Sequence, residues 1–146
     1  MARLSLALVG DVLLDRPQPA SAFDHVRELL RGVDAAIGSH VGVAARAVDV
    51  PGSVQHPLIV APEMIEGLRD SGLRAMACAN KHMVDGGHTA LLETLERLRQ
   101  AGIVTAGAGR DLSSARSAAG AARQKSSARR VCCSMRAKAR GSLKST

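Results

Sequence analysis

Four short apolar runs punctuate this chain, Leu4–Val9, Val33–Gly38, Leu73–Ala79 and Ile103–Ala106, and between them lie segments whose apolar residues recur at helical spacing. Parallel strands need a crossover between them, and helical crossovers in alternation with strands build a mostly parallel sheet. The chain therefore reads as an α/β fold of alternating strands and helices. Ligands of such sheets bind at the carboxyl ends of the strands. The residues that follow each run are thus the ones to inspect for chemistry.

The helices are marked unevenly. After Pro17-Gln18-Pro19, Ser21 reads as the N-cap of an amphipathic helix over Ala22–Leu30 that closes near Gly32, with Phe23, Val26, Leu29 and Leu30 as its apolar stripe. Pro62 opens a second helix through Met64, Ile65 and Leu68, ended by Gly72. The best pattern runs from His88 to Ala101: Leu91, Leu92, Leu95 and Leu98 line one side, with Glu93, Glu96, Arg97 and Arg99 on the other. Glu93 and Arg97 are spaced for an i,i+4 ion pair. His40 to Pro57 shows no clean period and reads as a long loop or a ragged strand pair.

Phe23 is the only aromatic residue, so the core must be built from Leu, Val, Ile, Ala and Met, and base-stacking platforms for nucleic acid are excluded. The net charge of +7 is unevenly placed. Residues 1–109 carry ten basic against twelve acidic side chains, whereas residues 110–146 carry ten basic side chains against Asp111 alone. This divides the chain into an α/β domain over 1–110 and a basic Ser/Ala/Arg/Lys-rich segment over 111–146, which has too little apolar surface to offset its ordering entropy. Beyond a first helical turn or two, the expectation there is disorder. Any contact with nucleic acid would be nonspecific and made by that segment. Cys78, Cys132 and Cys133 form no metal-finger spacing, and adjacent cysteines rarely pair with each other. Neither a signal peptide nor an apolar run long enough to span a membrane is read, which points to a cytoplasmic protein.

Two polar clusters sit at strand ends. Asp11 follows the first run after Gly10, with Asp15 four residues on, and the third run leads into Asn80-Lys81-His82-Met83-Val84-Asp85-Gly86-Gly87. Carboxylate, amide and imidazole at rigid strand tips are the donors that a metal or phosphate site uses. Asp85 reads as an acceptor of backbone N–H bonds in the loop, with Gly86 and Gly87 allowing a tight turn. Lys81 would repel a cation if it pointed inward, and is otherwise suited to an anion. His40, next to Ser39, is a candidate for a replacement ligand, while His25 and His56 read as surface residues. Gly107-Ala108-Gly109 lacks the Lys-Ser or Lys-Thr of a P-loop and reads as a strand-to-helix turn.

Several of these segments, in order, resemble the N-terminal part of the CapA family, the poly-γ-glutamate and capsule synthesis proteins of metallophosphatase-like fold. Gly10-Asp11-Val12-Leu13 is similar to the family's opening Gly-Asp-Val-Met, and Ala79-Asn80-Lys81-His82 with Asp85 and Gly87 is similar to Ala-Asn-Asn-His followed by Asp-x-Gly. Asp34–Ser39 resembles the strand that leads to Asn-Leu-Glu, and Ala101-Gly102-Ile103 through Gly109 continues the likeness. The resemblance implies a partial metallophosphatase-like sandwich. It also implies a divalent metal, Mn²⁺ or similar, held by Asp11, Asn80 and His82, with His82 and Asn80 as the catalytic groups of a hydrolase acting on a small-molecule or polymer substrate. Two departures imply a degraded site: Ser39-His40-Val41 stands in place of Asn-Leu-Glu, and Lys81 in place of the second Asn. The family pattern is also longer than this chain, which implies a truncated domain of weak or no activity. The alternatives are a small α/β anion- or nucleic-acid-binding protein acting through its basic segment, and a non-functional gene fragment.

Overall fold

The computed structural model describes residues 3–117. Strands β1 (Leu6–Val12), β2 (Ala35–His40), β5 (Ala75–Ala77) and β6 (Val104–Ala106) form one four-stranded sheet in the order β1-β2-β5-β6, with every neighbouring pair parallel. Two short strands, β3 (Val43–Ala44) and β4 (Ile59–Val60), pair separately, also in parallel. Helices α1 (Arg27–Arg31), α2 (Gly87–Gln100) and α3 (Leu112–Arg116) are joined by 3₁₀ turns at Pro19–Phe23, Pro62–Leu68 and Lys81–Val84. The alternating, mostly parallel α/β architecture expected from the sequence is the one found.

Strand order advances in one direction only, and right-handed crossovers in such an order all fall on the same side of the sheet. Burial follows that rule. Ala36, Met76 and Cys78 point into a core completed by Phe23, Leu30, Ile65, Leu68, Met83, Leu91, Leu98 and Ile103. On the opposite side the register aligns Leu8, Ile37, Ala75 and Val104 in one row, with Leu8 75% exposed and the other three half-buried.

Two helical expectations need correction. The segment over Ala22–Leu30 is not one helix but a 3₁₀ turn followed by five-residue α1. Pro19 starts the first turn, so Ser21 lies inside it and its hydroxyl donates to the Gln18 carbonyl at 2.7 Å rather than capping a helix. Only Phe23 and Leu30 reach the core, while Val26 and Leu29 stay exposed, so no continuous stripe exists to hold a longer helix. Likewise Pro62–Leu68 is 3₁₀ and capped by Arg69, well short of Gly72. Gly72 is instead needed at φ +97°, where a side chain would meet Leu30 at 2.9 Å.

The strongest sequence pattern is confirmed as α2, although its buried line is Ala90, Leu91, Thr94 and Leu98, with Leu92 and Leu95 half-buried. Thr94 takes an inward position because its hydroxyl accepts from the Ala44 N–H at 2.9 Å and donates to the Ala90 carbonyl, tying β3 to the helix. The Glu93–Arg97 pair forms, and the guanidinium holds the Glu93 carboxyl below its ordinary range. The unpatterned stretch after His40 does contain a strand pair in part: β3 lies within it, and β4 just beyond Pro57. Gly107-Ala108-Gly109 carries β6 into α3, as a strand-to-helix turn. α3 is closed by a capping box in which Asp111 accepts from the Ser114 N–H. Of the basic segment, residues 118–146 lie outside the described residues, and so does the disorder expected there.

His40 is the one buried imidazole, 3% exposed, and neither ring nitrogen has a partner among the described residues. It shares a small cavity with Val12, Leu14, Val60, Met64, Ile65 and Leu68, none of them titratable. Burial alone pushes its pKa down from 6.5 to about 4. The folded state thus resists protonation that the unfolded chain accepts, so stability is full above pH 6.5 and falls as pH drops toward about 4. The gap corresponds to about 3 kcal/mol. Urea denaturation across this range should show that loss for the wild-type chain, and His40→Leu should flatten it.

Candidate functional site at the strand tips

The carboxyl edge of the sheet is organised by a bulge in β1. Leu8 pairs with Ile37 but Asp11 pairs with Ser39, so β1 spends one extra residue between the two contacts. Plain alternation from Leu8 would turn Asp11 into the core. The extra residue rotates it to the open face, where Asp11, Ser39, Ala77 and Ala106 form one registered row. Asp11 is exposed there, while the next residues along, Val12 and His40, face the core. His40 therefore does not stand beside Asp11 as a replacement ligand.

The loop after β5 is built by hydrogen bonds that its residue types dictate. Asn80 donates from its amide nitrogen to the His40 carbonyl at 2.7 Å, clasping the tips of β5 and β2 together. Its amide oxygen accepts from the His82 N–H at 3.1 Å and so caps the 3₁₀ turn Lys81–Val84. In a 3₁₀ turn, residues three apart eclipse. The turn accordingly brings His82 onto Asp85, with Nδ1 2.8 Å from Oδ2. The same carboxylate accepts from the Leu58 N–H at 2.8 Å and is 4% exposed. Asp85 thus has the loop-fixing role expected of it and a second one not read from the sequence, which is to orient the imidazole. The signal was the His-x-x-Asp spacing, legible only once the turn is known to be 3₁₀. Gly87 then reverses the chain at φ +82°, where a Cβ would lie 2.8 Å from the Asp49 carbonyl.

An ionised carboxylate can only accept, so His82 presents Nδ1–H to Asp85 and leaves the Nε2 lone pair outward. The ring is 27% exposed. His82 is therefore equipped to take or give a proton, or to donate to a metal, from a fixed direction. A cleft of about 510 Å³ opens at the tips of β5 and β6; Lys81 and Met83 line it, but the His82 ring between them does not. Cys78, Met83 and Leu91 form its apolar floor, and Asn80, Lys81 and Leu112 are on its walls.

These donors do not by themselves complete a cation cage. Among the described residues no three His, Cys, Asp or Glu side chains gather closely enough to hold a metal ion. Asp11 lies on the open face two strands from β5, Asn80 has committed both amide atoms to structure, and Asp15 is exposed without an ion pair among the described residues. Asn80 and His82 are brought together; Asp11 is set apart from them.

The family model for the bacterial capsule synthesis protein PGA_cap matches residues 5–142. The chain belongs to this capsule synthesis family. The match covers both strand-tip clusters and continues past Arg110 through the basic segment. No curated protein matches the chain. Among the described residues of this PGA_cap member, no helix is long and apolar enough to cross a membrane.

Two measurements check the His82–Asp85 arrangement. Asp85→Ala should strip the Leu58 N–H of its partner and lower unfolding free energy by about 1–3 kcal/mol. Imidazole ¹⁵N spectra should show His82 as the Nδ1–H tautomer in the wild-type chain at neutral pH, and a loss of that preference in the variant.

Proposed function

We propose that this capsule synthesis protein keeps the strand-tip frame of a metal-assisted hydrolase with a reduced donor set, so that it cleaves phosphoester or peptide bonds weakly or not at all on its own. The observation that carries this reading is the chain Leu58 N–H, Asp85, His82, which holds one imidazole in a working orientation while Asp11 faces away on the open side of the sheet. The sequence pattern offers Asp11, Asn80 and His82 as ligands for a divalent ion such as Mn²⁺. Of these, His82 Nε2 is the donor with a lone pair already presented. Asn80 serves chiefly to hold the turn that positions it. Lys81, exposed beside the cleft, supplies positive charge where an anionic group of a substrate would approach.

The test is calorimetric titration of Mn²⁺ into the full chain and into the Asp11→Ala and His82→Ala variants, beside an assay with p-nitrophenyl phosphate. The expected result is millimolar or weaker binding that His82→Ala removes and Asp11→Ala leaves in place, with no metal-dependent turnover at ordinary enzymatic rates. Micromolar binding lost in both variants, or brisk turnover, would overturn the proposal.

A further inference from the structure

A second cavity lies where the chain enters the strands, at the opposite end of the sheet from Asn80 and His82. It encloses about 330 Å³, and Arg31, Arg69, Asp70, Gly72, Arg74 and Gly102 are among the residues that line it. Arg31 closes α1 ahead of β2, Arg74 stands just before β5, and Gly102 lies ahead of β6. Small-molecule sites begin at about 300 Å³. Three guanidiniums line this one against a single carboxylate. Arg74 is exposed and makes no side-chain hydrogen bond or ion pair among the described residues. Arg69 holds Glu66 through Nε at 3.0 Å, an exposed pair that an incoming anion can share. Arg31 donates to the Asp70 carbonyl at 2.8 Å and lies 3.6 Å from its carboxylate. The guanidiniums are not needed as helix caps: the Glu28, Leu29, Arg97, Leu98 and Arg99 carbonyls near the ends of α1 and α2 already accept from backbone N–H groups.

We infer that this cavity is a binding site for a small phosphorylated compound, whose phosphate is clamped by Arg31, Arg69 and Arg74 at the amino end of the sheet. A guanidinium is planar, permanently charged and shaped to give two parallel N–H bonds to a phosphate. Phosphate presents acceptor oxygens in several directions, so it can engage forks that arrive from three separate segments of chain, whereas a carboxylate is satisfied by one fork. Asp70 is the acid of the set and opposes an anion, but its side chain is 80% exposed and its charge is screened by water and salt. Its main-chain carbonyl meanwhile holds the Arg31 guanidinium in place. The site does not use the strand-tip donors, since Asn80, Lys81 and His82 follow β5 whereas Arg74 precedes it.

Titration of inorganic phosphate into the ¹⁵N-labelled full chain without metal, at constant ionic strength and followed by backbone amide shifts, tests this, with Arg74→Gln as the variant. Arg74 is exposed and has no side-chain partner to lose among the described residues, so Arg74→Gln leaves the fold intact, which an unchanged urea midpoint would verify. The expected result is saturable shifts at the Gly72, Leu73 and Gly102 amides with a millimolar dissociation constant, weakened at least fivefold in Arg74→Gln. Acetate at the same ionic strength should produce no comparable saturation. Amides at the amino end that do not move, shifts confined to residues beyond 117, or saturation that Arg74→Gln leaves unchanged all overturn the inference. Acetate binding as tightly as phosphate overturns it too, because the site would then not select phosphate. No Mn²⁺ is present and the reporting amides lie away from His82, so the outcome is separate from that of the proposed function.

Discussion

Burial of a single face of a parallel sheet is the constraint on which the rest of this structure depends. Because the strands advance β1-β2-β5-β6 without reversal, each crossover lands on the same side and adds to one aliphatic core. With Phe23 as its only aromatic residue, that core is filled by small and branched side chains, among them Leu68, Met76, Leu98 and Ile103 at 1% exposure or less. Such side chains pack closely without polar handles, which suits strands as short as the three residues of β5 and β6. The same arrangement leaves the other side of the sheet apolar and open.

The candidate site follows from that one-sidedness. A polar residue at a strand tip faces either the core or the open side, and one residue of register decides which. The bulge in β1 sends Asp11 to the open side, while the unbulged β2 sends His40 inward among Val12, Leu14 and Met64. Asn80 and His82 escape the choice because the chain has already left β5, and the 3₁₀ turn orients them through Asp85. The result is an imidazole held by Asp85 on a turn whose residues Lys81 and Met83 line a partly apolar cleft, in a member of the PGA_cap family. The Asp11 carboxylate stands two strands away from β5.

The electrostatics are correspondingly local. Ion pairs such as Glu93–Arg97 lie on the surface of α2 and add a few tenths of a kcal/mol at most. Two of the buried titratable groups differ in kind: Asp85 is doubly satisfied, whereas His40 has no partner at all among the described residues. The first holds the loop after β5 in shape, and the second makes the fold sensitive to acid.

The sequence by itself determined the α/β class, the four strands of the sheet, the extent of α2 and the positions of both strand-tip clusters, because apolar periodicity and Gly or Pro punctuation are local signals carried by adjacent residues. It also located the Asp85 loop and the turn at Gly107. Only the tertiary structure decided that Ala22–Leu30 would not form one helix, since that hangs on which of Phe23, Val26 and Leu29 finds a core to enter. It decided likewise that His82 meets Asp85 and that Asp11 and His40 part company across the sheet. Those outcomes turn on register and on 3₁₀ rather than α geometry, where a shift of one residue reverses a side chain's direction while leaving the sequence pattern unchanged.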